Sequence, residues 1–286
     1  MPPNTATNIS KEERERGLSQ SSPHALTWVA GSVLLGFGGF VLFVMHLMAG
    51  SPRPEVVLAG YVTSLERRTP AQRYNAKRAA DALNGAVIPP GATFSFNKTV
   101  KSWTWEQGYV KAPVSYDGEL VPAFGGGVCQ TSTTLYNSAL MAGLPIVERH
   151  HHVFAPHYIT PGRDAAVAQY DIDLRFKNPY PWAIRLRAEV HANLMEISVL
   201  GVEKPKMEAR VLTDTLSQEN PARLTRVTRP QYTPRKKFFV RNPGATGYRV
   251  VSYRVFVEEG KEARRERLSD DSYQPMDRVI QYHEEP

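Results

Sequence analysis

The stretch that decides the fold runs Phe124-Gly-Gly-Gly-Val-Cys-Gln-Thr-Ser-Thr-Thr-Leu-Tyr-Asn-Ser-Ala-Leu-Met-Ala-Gly143. Its three consecutive glycines, Gly125, Gly126 and Gly127, allow unusual backbone angles and close approach of another piece of chain. The residues after them read as a helix, and Gly143 with Pro145 gives it a clean stop. Cys129 then falls at or near the helix N-terminus. Unpaired N–H groups and the positive end of the helix dipole gather there, and both favour a thiolate. A lowered pKa at a helix start makes a cysteine reactive. The same N–H groups can hold the oxyanion of an attacked carbonyl. The competing reading is that the glycines let the helix pack tightly and Cys129 fills core, the commoner fate of a lone cysteine. The hydroxyl run Thr131 to Thr134 weakens helix propensity and is easier to explain beside a polar cleft. Gly125, Gly126, Gly127, Gln130, Ser132 and Thr133 are therefore the expected substrate and oxyanion residues.

A cysteine nucleophile needs a base and usually an orienter. Glu148-Arg149-His150-His151-His152 lies shortly downstream. If this piece is extended, Glu148, His150 and His152 face one way and Arg149 and His151 the other. His150 or His152 can serve Cys129, Asp164 can orient the imidazole, and Arg149 joins the expected substrate side. The alternatives are a metal cluster with His157 as a further ligand, or a structural or exposed histidine cluster. Cys129 is the single cysteine, which excludes an intramolecular disulfide and a thiolate zinc site of two or more cysteines. No cofactor is expected.

Upstream, no Asp, Glu, Lys or Arg occurs from Gly17 through Pro52, and Ala25 to Ala49 is strongly apolar. That run is long enough to span a bilayer, which takes about 20 residues, and Trp28 suits the interface. A cleaved signal peptide is the competing reading, but signal cores are shorter and Met48-Ala49-Gly50 is a poor cleavage site. Lys11, Arg14 and Arg16 before the span balance Arg53, Arg67 and Arg68 after it, so the positive-inside rule does not choose. The long C-terminal part makes an N-terminus-inside, single-pass topology the simpler one. The expected organisation is a cytoplasmic tail (1–24), an anchor (25–49), a Pro- and Arg-containing linker (50–68), a main domain (69–203) and a basic β-rich module (204–286).

Within the main domain, Thr69, Pro70 and Gln72 form a capping-box start for a helix over 71–83, which Asn84-Gly85 ends. Pro89-Pro90-Gly91 predicts a turn before a strand-like Thr93 to Phe96. Residues 171–200 read as a β-meander. Ile172, Leu174 and Phe176 alternate with charged residues, Asn178-Pro179-Tyr180-Pro181 breaks the run, and Ile184 to Val190 and Met195 to Leu200 come after it. The fold class is α+β, with helices packed on antiparallel strands. The 286-residue chain is 42% hydrophobic and 22% charged, values that fit folded domains rather than disorder. Its +7 net charge draws polyanions in general and names no partner. Pro221 to Val257 holds nine basic residues and no acidic one, either a solvated face or a holder of anionic polymer. Nucleic acid is not expected, because the chain faces outward and lacks aromatic-interleaved basic repeats.

These residues carry a family resemblance. Asn75, then Pro90-Gly91-x-x-Phe94-Ser95-Phe96-Asn97, then Gly108-Tyr109-x-x-Ala112 stand upstream. Next come Gly125-Gly-Gly-Val-Cys129-Gln-x-Ser-Thr-Thr-Leu-Tyr-Asn137, Glu148-Arg149-x-x-His152 and Pro161-Gly162-x-Asp164-Ala165. In that order, over about residues 70–200, the chain resembles the VanW family. Lys101 departs from the pattern where a glycine is common. The family is named from accessory genes of glycopeptide-antibiotic resistance. The resemblance implies a bacterial, membrane-anchored, extracytoplasmic cell-wall protein. It implies a cysteine-dependent L,D-transpeptidase with Cys129 as nucleophile and His152 as base, with His150 and His151 less firmly matched. Peptidoglycan stem peptides are the implied partners, and the basic module would hold anionic wall polymer. The alternatives are a non-catalytic peptidoglycan-binding or accessory protein linked to glycopeptide resistance or envelope assembly, and a histidine-cluster metalloprotein.

Overall fold

The computed structural model describes residues 54–116, 119–221, 223–228, 238–242 and 244–283. The expected tail and anchor (1–49) lie outside them, and among the described residues no helix is long and apolar enough to cross a membrane.

Strand β1 (Val56–Ser64) overturns the expected linker over 50–68. Its β-prone Val-Val-Leu run pairs antiparallel with a much later strand, from Val56 opposite Gly201 to Ser64 opposite Leu194. Both of its faces are partly covered, so it lacks the clean alternation that marks a half-buried strand. Helix α1 (Pro70–Leu83) starts as its residues dictate. The Thr69 hydroxyl accepts from the Gln72 N–H at 3.2 Å, the Gln72 side chain accepts from the Thr69 N–H at 3.1 Å, and Pro70 opens the first turn. The helix buries Asn75, Ala76, Ala79, Ala80 and Leu83, a face of small side chains that admits close packing.

Short elements come next: β2 (Val87–Ile88), β3 (Thr93–Ser95), α2 (Phe96–Val100), and the hairpin β4 (Lys111–Tyr116) with β5 (Glu119–Phe124). Then come α3 (Val128–Met141), β6 (Ile146–Glu148), β7 (Arg175–Lys177), β8 (Ile184–His191) and β9 (Leu194–Gly201). The main sheet has the order β1-β9-β8-β2, all antiparallel. Ile184, Leu186, Met195, Ile197 and Val199 point from it into a core shared with Leu83, Leu135 and Leu140 of α1 and α3, all fully buried. Each such side chain contributes about 1.5–3 kcal/mol of burial, so this layer of two helices on one sheet face dominates the domain's stability.

The predicted three-strand meander is corrected. Strands β8 and β9 form a hairpin as expected, but β7 belongs to another sheet, ordered β3-β7-β6. Asn178 redirects the chain between them. It is fully buried, and its amide donates to the carbonyls of Ile88, Pro89 and Trp182 at 3.0, 3.1 and 2.9 Å.

Among the described residues the C-terminal module is built of strands, as expected of it. Strands β10 (Glu208–Glu219), β13 (Gly247–Glu258) and β14 (Lys261–Tyr273) form one antiparallel sheet. A second sheet has β15 (Arg278–His283) between β11 (Arg223–Thr228), parallel to it, and β12 (Phe238–Asn242), antiparallel to it. The basic stretch is less free than its composition implies. Arg249 pairs with Asp270 at 3.2 Å, and buried Arg254 pairs with Glu266. The other seven basic side chains of that stretch lie outside the described ones.

The two modules meet through buried polar contacts. Arg254 donates to the Leu140 and Leu144 carbonyls at 3.3 and 2.7 Å, setting a cation at the C-terminal end of α3 where the helix dipole favours one. Ser252 donates to the Gly162 carbonyl at 2.8 Å, and the Gly162 N–H donates to the Tyr273 hydroxyl at 2.8 Å. Gly162 has φ +88, and a Cβ there would lie 2.4 Å from the Ser252 hydroxyl oxygen, so no other residue fits.

Candidate active site

The glycine run does bring chain close to chain, but the partner is the protein itself. Gly127 caps α3 at φ 111, and a Cβ there would sit 2.3 Å from the Gln72 carbonyl oxygen of α1. Gly125 packs against the Trp103 ring and Gly126 against the Pro113 carbonyl. The space expected for substrate beside these glycines is therefore filled by α1, β4 and Trp103. Val128 N–H donates to Gly125 O at 3.0 Å and Gln130 N–H to Gly127 O at 3.1 Å. The N–H of Cys129, second residue of the helix, has no partner among the described residues.

The hydroxyl run is likewise turned inward, which corrects the polar cleft expected for it. Gln130, Ser132 and Thr133 are buried. Gln130 donates to Thr63 Oγ1 at 3.1 Å and to the Ser64 carbonyl at 2.9 Å. Ser132 donates to the Ala165 carbonyl at 2.6 Å, and Thr133 accepts from the Ala165 N–H at 3.0 Å. These hydroxyls fasten the residue next to Asp164 onto α3, and so set where that carboxylate stands.

Cys129, His152 and Asp164 are brought together. Cys129 is half-buried, its thiol donates to the Val167 carbonyl at 3.3 Å, and its sulfur lies close enough to the His152 imidazole for the two to act on each other's charge. His152 donates from Nδ1 to Asp164 Oδ2 at 2.6 Å and from its backbone N–H to the same oxygen at 2.8 Å. With Nδ1 so engaged, Nε2 is the nitrogen left for the thiol. Asp164 is fully buried, and its other oxygen accepts from Arg149 Nη2 at 3.0 Å and from the Tyr273 hydroxyl.

The charges follow from this geometry. Burial pushes the Cys129 thiol up, but the neighbouring His152, with help from the Val167 contact, outweighs it and holds the thiol below its ordinary value. Burial pulls His152 down, but Asp164 and Cys129 raise it to about 10. Burial raises Asp164, but His152 and Arg149 bring it down to about 2. The arrangement shifts the balance toward a thiolate–imidazolium pair backed by an ionised carboxylate. Arg149 is 7% exposed, contacts both Asp271 oxygens at 2.7 Å and carries a raised pKa against the burial that lowers it. The buried Arg149 cation and the half-buried His152 thus face two buried carboxylates, the pairing that buried charge requires.

Arg149 and His152, expected on opposite faces, converge on one carboxylate because regular strand pairing ends at Glu148. His150, expected as a possible base, turns to Glu148 at 3.1 Å and is 43% exposed. His151 donates from Nδ1 to the His152 carbonyl at 2.7 Å and meets the Tyr273 ring edge-on. The three histidines diverge, and among the described residues no group of His, Cys, Asp or Glu is arranged to hold a metal ion.

Four contributors escaped the sequence reading. Tyr273 and Asp271 come from β14, with no spacing signal to link them to Asp164 or Arg149. Tyr158 donates to the Cys129 carbonyl at 3.3 Å, and Arg68 lies over the Tyr158 ring, 4.5 Å from its centroid.

Comparison with known proteins divides the chain as the fold does. Residues 71–200 match the family described as VanW like protein, and residues 225–282 match the G5 domain. An uncharacterized protein of Bacillus subtilis, YoaR, is 39% identical over 142 residues, covering 50% of this chain and 47% of YoaR. The vancomycin B-type resistance protein VanW of Enterococcus faecalis is 35% identical over 111 residues, covering 37% of this chain and 40% of that protein. The matched region thus spans less than half the length of either relative. Among solved structures, the IgA1 protease G5 domain matches 29% of this chain and 96% of its own, at 19% identity and a TM-score of 0.18.

Proposed function

With residues 71–200 placed in the VanW family, we propose that this chain is a cell-wall-associated cysteine acyltransferase acting on peptidoglycan stem peptides, an L,D-transpeptidase. The observation that carries the reading is the relay from Cys129 through His152 to Asp164. The Cys129 thiolate attacks a peptide carbonyl of the donor stem. The oxyanion formed faces the free Cys129 N–H at the positive end of α3. Collapse breaks the C–N bond, the leaving amine takes the proton held on His152, and a thioester remains on Cys129. The amine of a second stem attacks the thioester, His152 accepts its proton, and the thiolate departs, leaving a cross-link. Water in place of that amine makes the reaction an L,D-carboxypeptidase.

The remaining parts fit a wall-facing protein. The name of the Enterococcus relative ties it to vancomycin resistance, which concerns the wall. The G5-matching region and the basic residues from Pro221 to Val257 would hold anionic wall polymer near the site. The apolar run at 25–49 would anchor the chain in the cell membrane, N-terminus inside and the bulk outside.

A specific observation also favours a non-catalytic wall-binding protein: the Cys129 thiol is satisfied by the Val167 carbonyl. The two readings part on one experiment. The full-length chain is incubated with purified stem peptides and its intact mass measured, with Cys129→Ser as control. An acyl adduct on the unsubstituted protein alone establishes the thioester. Saturable binding by both proteins without an adduct moves the function to wall binding.

A further inference from the structure

Arg68 lies between β1 and α1, where its N–H donates to the Leu65 carbonyl at 2.9 Å and its own carbonyl accepts from Arg73 Nε at 3.0 Å. Its backbone is therefore fixed. The guanidinium is fixed too. Nε donates to Gln130 Oε1 at 2.7 Å, and the group lies over the Tyr158 ring. Gln130 comes directly after Cys129 in α3, and Tyr158 donates to the Cys129 carbonyl, so both supports of Arg68 stand beside the nucleophile. The charges of Arg68 and Cys129 act on each other. Arg67 and Arg68 also act on His157, which burial and these two cations hold below its ordinary pKa.

Among the described residues, Arg68 shares its lack of a carboxylate with half-buried Arg73 and Arg163, which bond amide and carbonyl oxygens, but it alone of these three has its supports beside Cys129. Arg149 has two carboxylates and Arg254 has one. Arg68 has no carboxylate partner among the described residues, and its two terminal nitrogens have no protein acceptor there. A desolvated guanidinium without a counter-charge is costly, and its fork matches a carboxylate in bidentate geometry.

We infer that Arg68, flanked by Arg67 and His157, is a carboxylate-binding subsite beside Cys129. It selects acyl donors that carry a free carboxylate close to the carbonyl under attack. The inference rests on the reading of Cys129 as nucleophile.

Two alkylating reagents test it. Iodoacetate and iodoacetamide present the same electrophilic carbon, and in each the thiolate displaces iodide. They differ in a carboxylate against a neutral amide. With a single cysteine in the chain, loss of thiol reports Cys129 alone. The ratio of the iodoacetate to the iodoacetamide rate is measured on the full-length folded protein and again in urea. A bound carboxylate raises the folded ratio about fivefold or more over the unfolded one, the effect of a unit charge a few ångströms away in solvent. Arg68→Gln brings the ratio back to the unfolded value. If Arg68→Gln slows both reagents equally and leaves the ratio unchanged, Arg68 supports only the thiolate and the subsite is wrong.

A second measurement needs no variant. Propionate at constant ionic strength slows iodoacetamide, and propionamide does not. Equal effects of the two overturn the proposal. The failures are separable. A folded Cys129 inert to both reagents, but reactive in urea, overturns the nucleophile reading along with the subsite. A raised ratio without any acyl adduct from stem peptides leaves the subsite standing and removes the transpeptidase.

Discussion

Tyr273 donates its hydroxyl to the buried carboxylate of Asp164 across 109 residues of chain, so the C-terminal module supplies one of the groups that hold the relay in place. The same hydroxyl accepts the Gly162 N–H, two residues before Asp164 in sequence. The tyrosine therefore fixes both the carboxylate and the turn that carries it.

Tyr273→Phe keeps the ring and removes this hydroxyl. A hydrogen bond to a charged group contributes about 1.5–3 kcal/mol. The variant should unfold at lower urea by about that free energy. It should also show a Cys129 alkylation profile moved to higher pH, because Asp164 then opposes burial with one donor fewer. An unmoved profile would make Tyr273 a stability residue only.

Asp164→Asn takes away the counter-charge of His152 and leaves Arg149 with Asp271 alone. Breaking a buried charge set of this kind costs about 3–5 kcal/mol. In material that stays folded, alkylation at neutral pH should fall about tenfold or more, as the imidazolium that holds the thiolate is lost. His150→Ala is the contrast. That ring faces Glu148 and solvent, so the rate should change less than about twofold. A large loss in His150→Ala would mean that the wrong histidine has been assigned as base.

The pH dependence of stability has opposite signs at the two ends. His152 is raised above the ordinary imidazole value of about 6.5, so its contribution is complete below that pH and drains away as pH rises. Loss is complete past about 10. Asp164 is depressed, so its contribution is present above about 4 and is lost as pH falls. That loss runs down through about 2. Cys129 is depressed too, so its share is lost as pH falls from its ordinary value, and urea midpoints should be highest near neutral pH and fall on both sides. Reactivity tracks the same pair. Alkylation should be well advanced below the free-thiol value of about 8.5. A midpoint that climbed steadily through the alkaline range would contradict the ion pair.

Gly127→Ala tests the start of α3. A positive φ costs a non-glycine residue about 1 kcal/mol or more, and the new Cβ would overlap the Gln72 carbonyl. The expected loss is about 3 kcal/mol or more, read from urea midpoints or from the soluble yield. Near-normal stability would mean that α1 can move away from the glycine run.

Local chemistry controls the part of the molecule that the sequence disclosed. The capping box at Thr69 and Gln72 closes within four residues, and the glycine run marks the start of α3 without help from elsewhere. Cys129, His152 and Asp164 were all nameable, since few other residues in the matching segment can carry acyl transfer. Long-range pairing was not legible. Strand β1 owes its place to β9, more than a hundred residues away, and its own pattern is too weak to announce it. Strict alternation failed at Arg149 and His152 because Asp164 attracts both. The hydroxyls of Ser132 and Thr133 read as a cleft because their partner, Ala165, lies about thirty residues downstream. Arg68 looked like a linker charge for a similar reason, its partners being Gln130 and Tyr158.

The way β13 and β14 enter the first module bears on where the protein can be cut. A fragment ending near residue 203 would satisfy the boundaries drawn by sequence similarity. It would also remove Arg254 from the exposed carbonyl end of α3 and Asp271 from the guanidinium of Arg149. Ser252 would leave Gly162, and Tyr273 would leave the turn it steadies. Such a piece keeps every residue of the nucleophilic relay yet exposes its underside to water. A shortened protein that proves inert would then report the loss of its neighbour rather than the chemistry of its thiol.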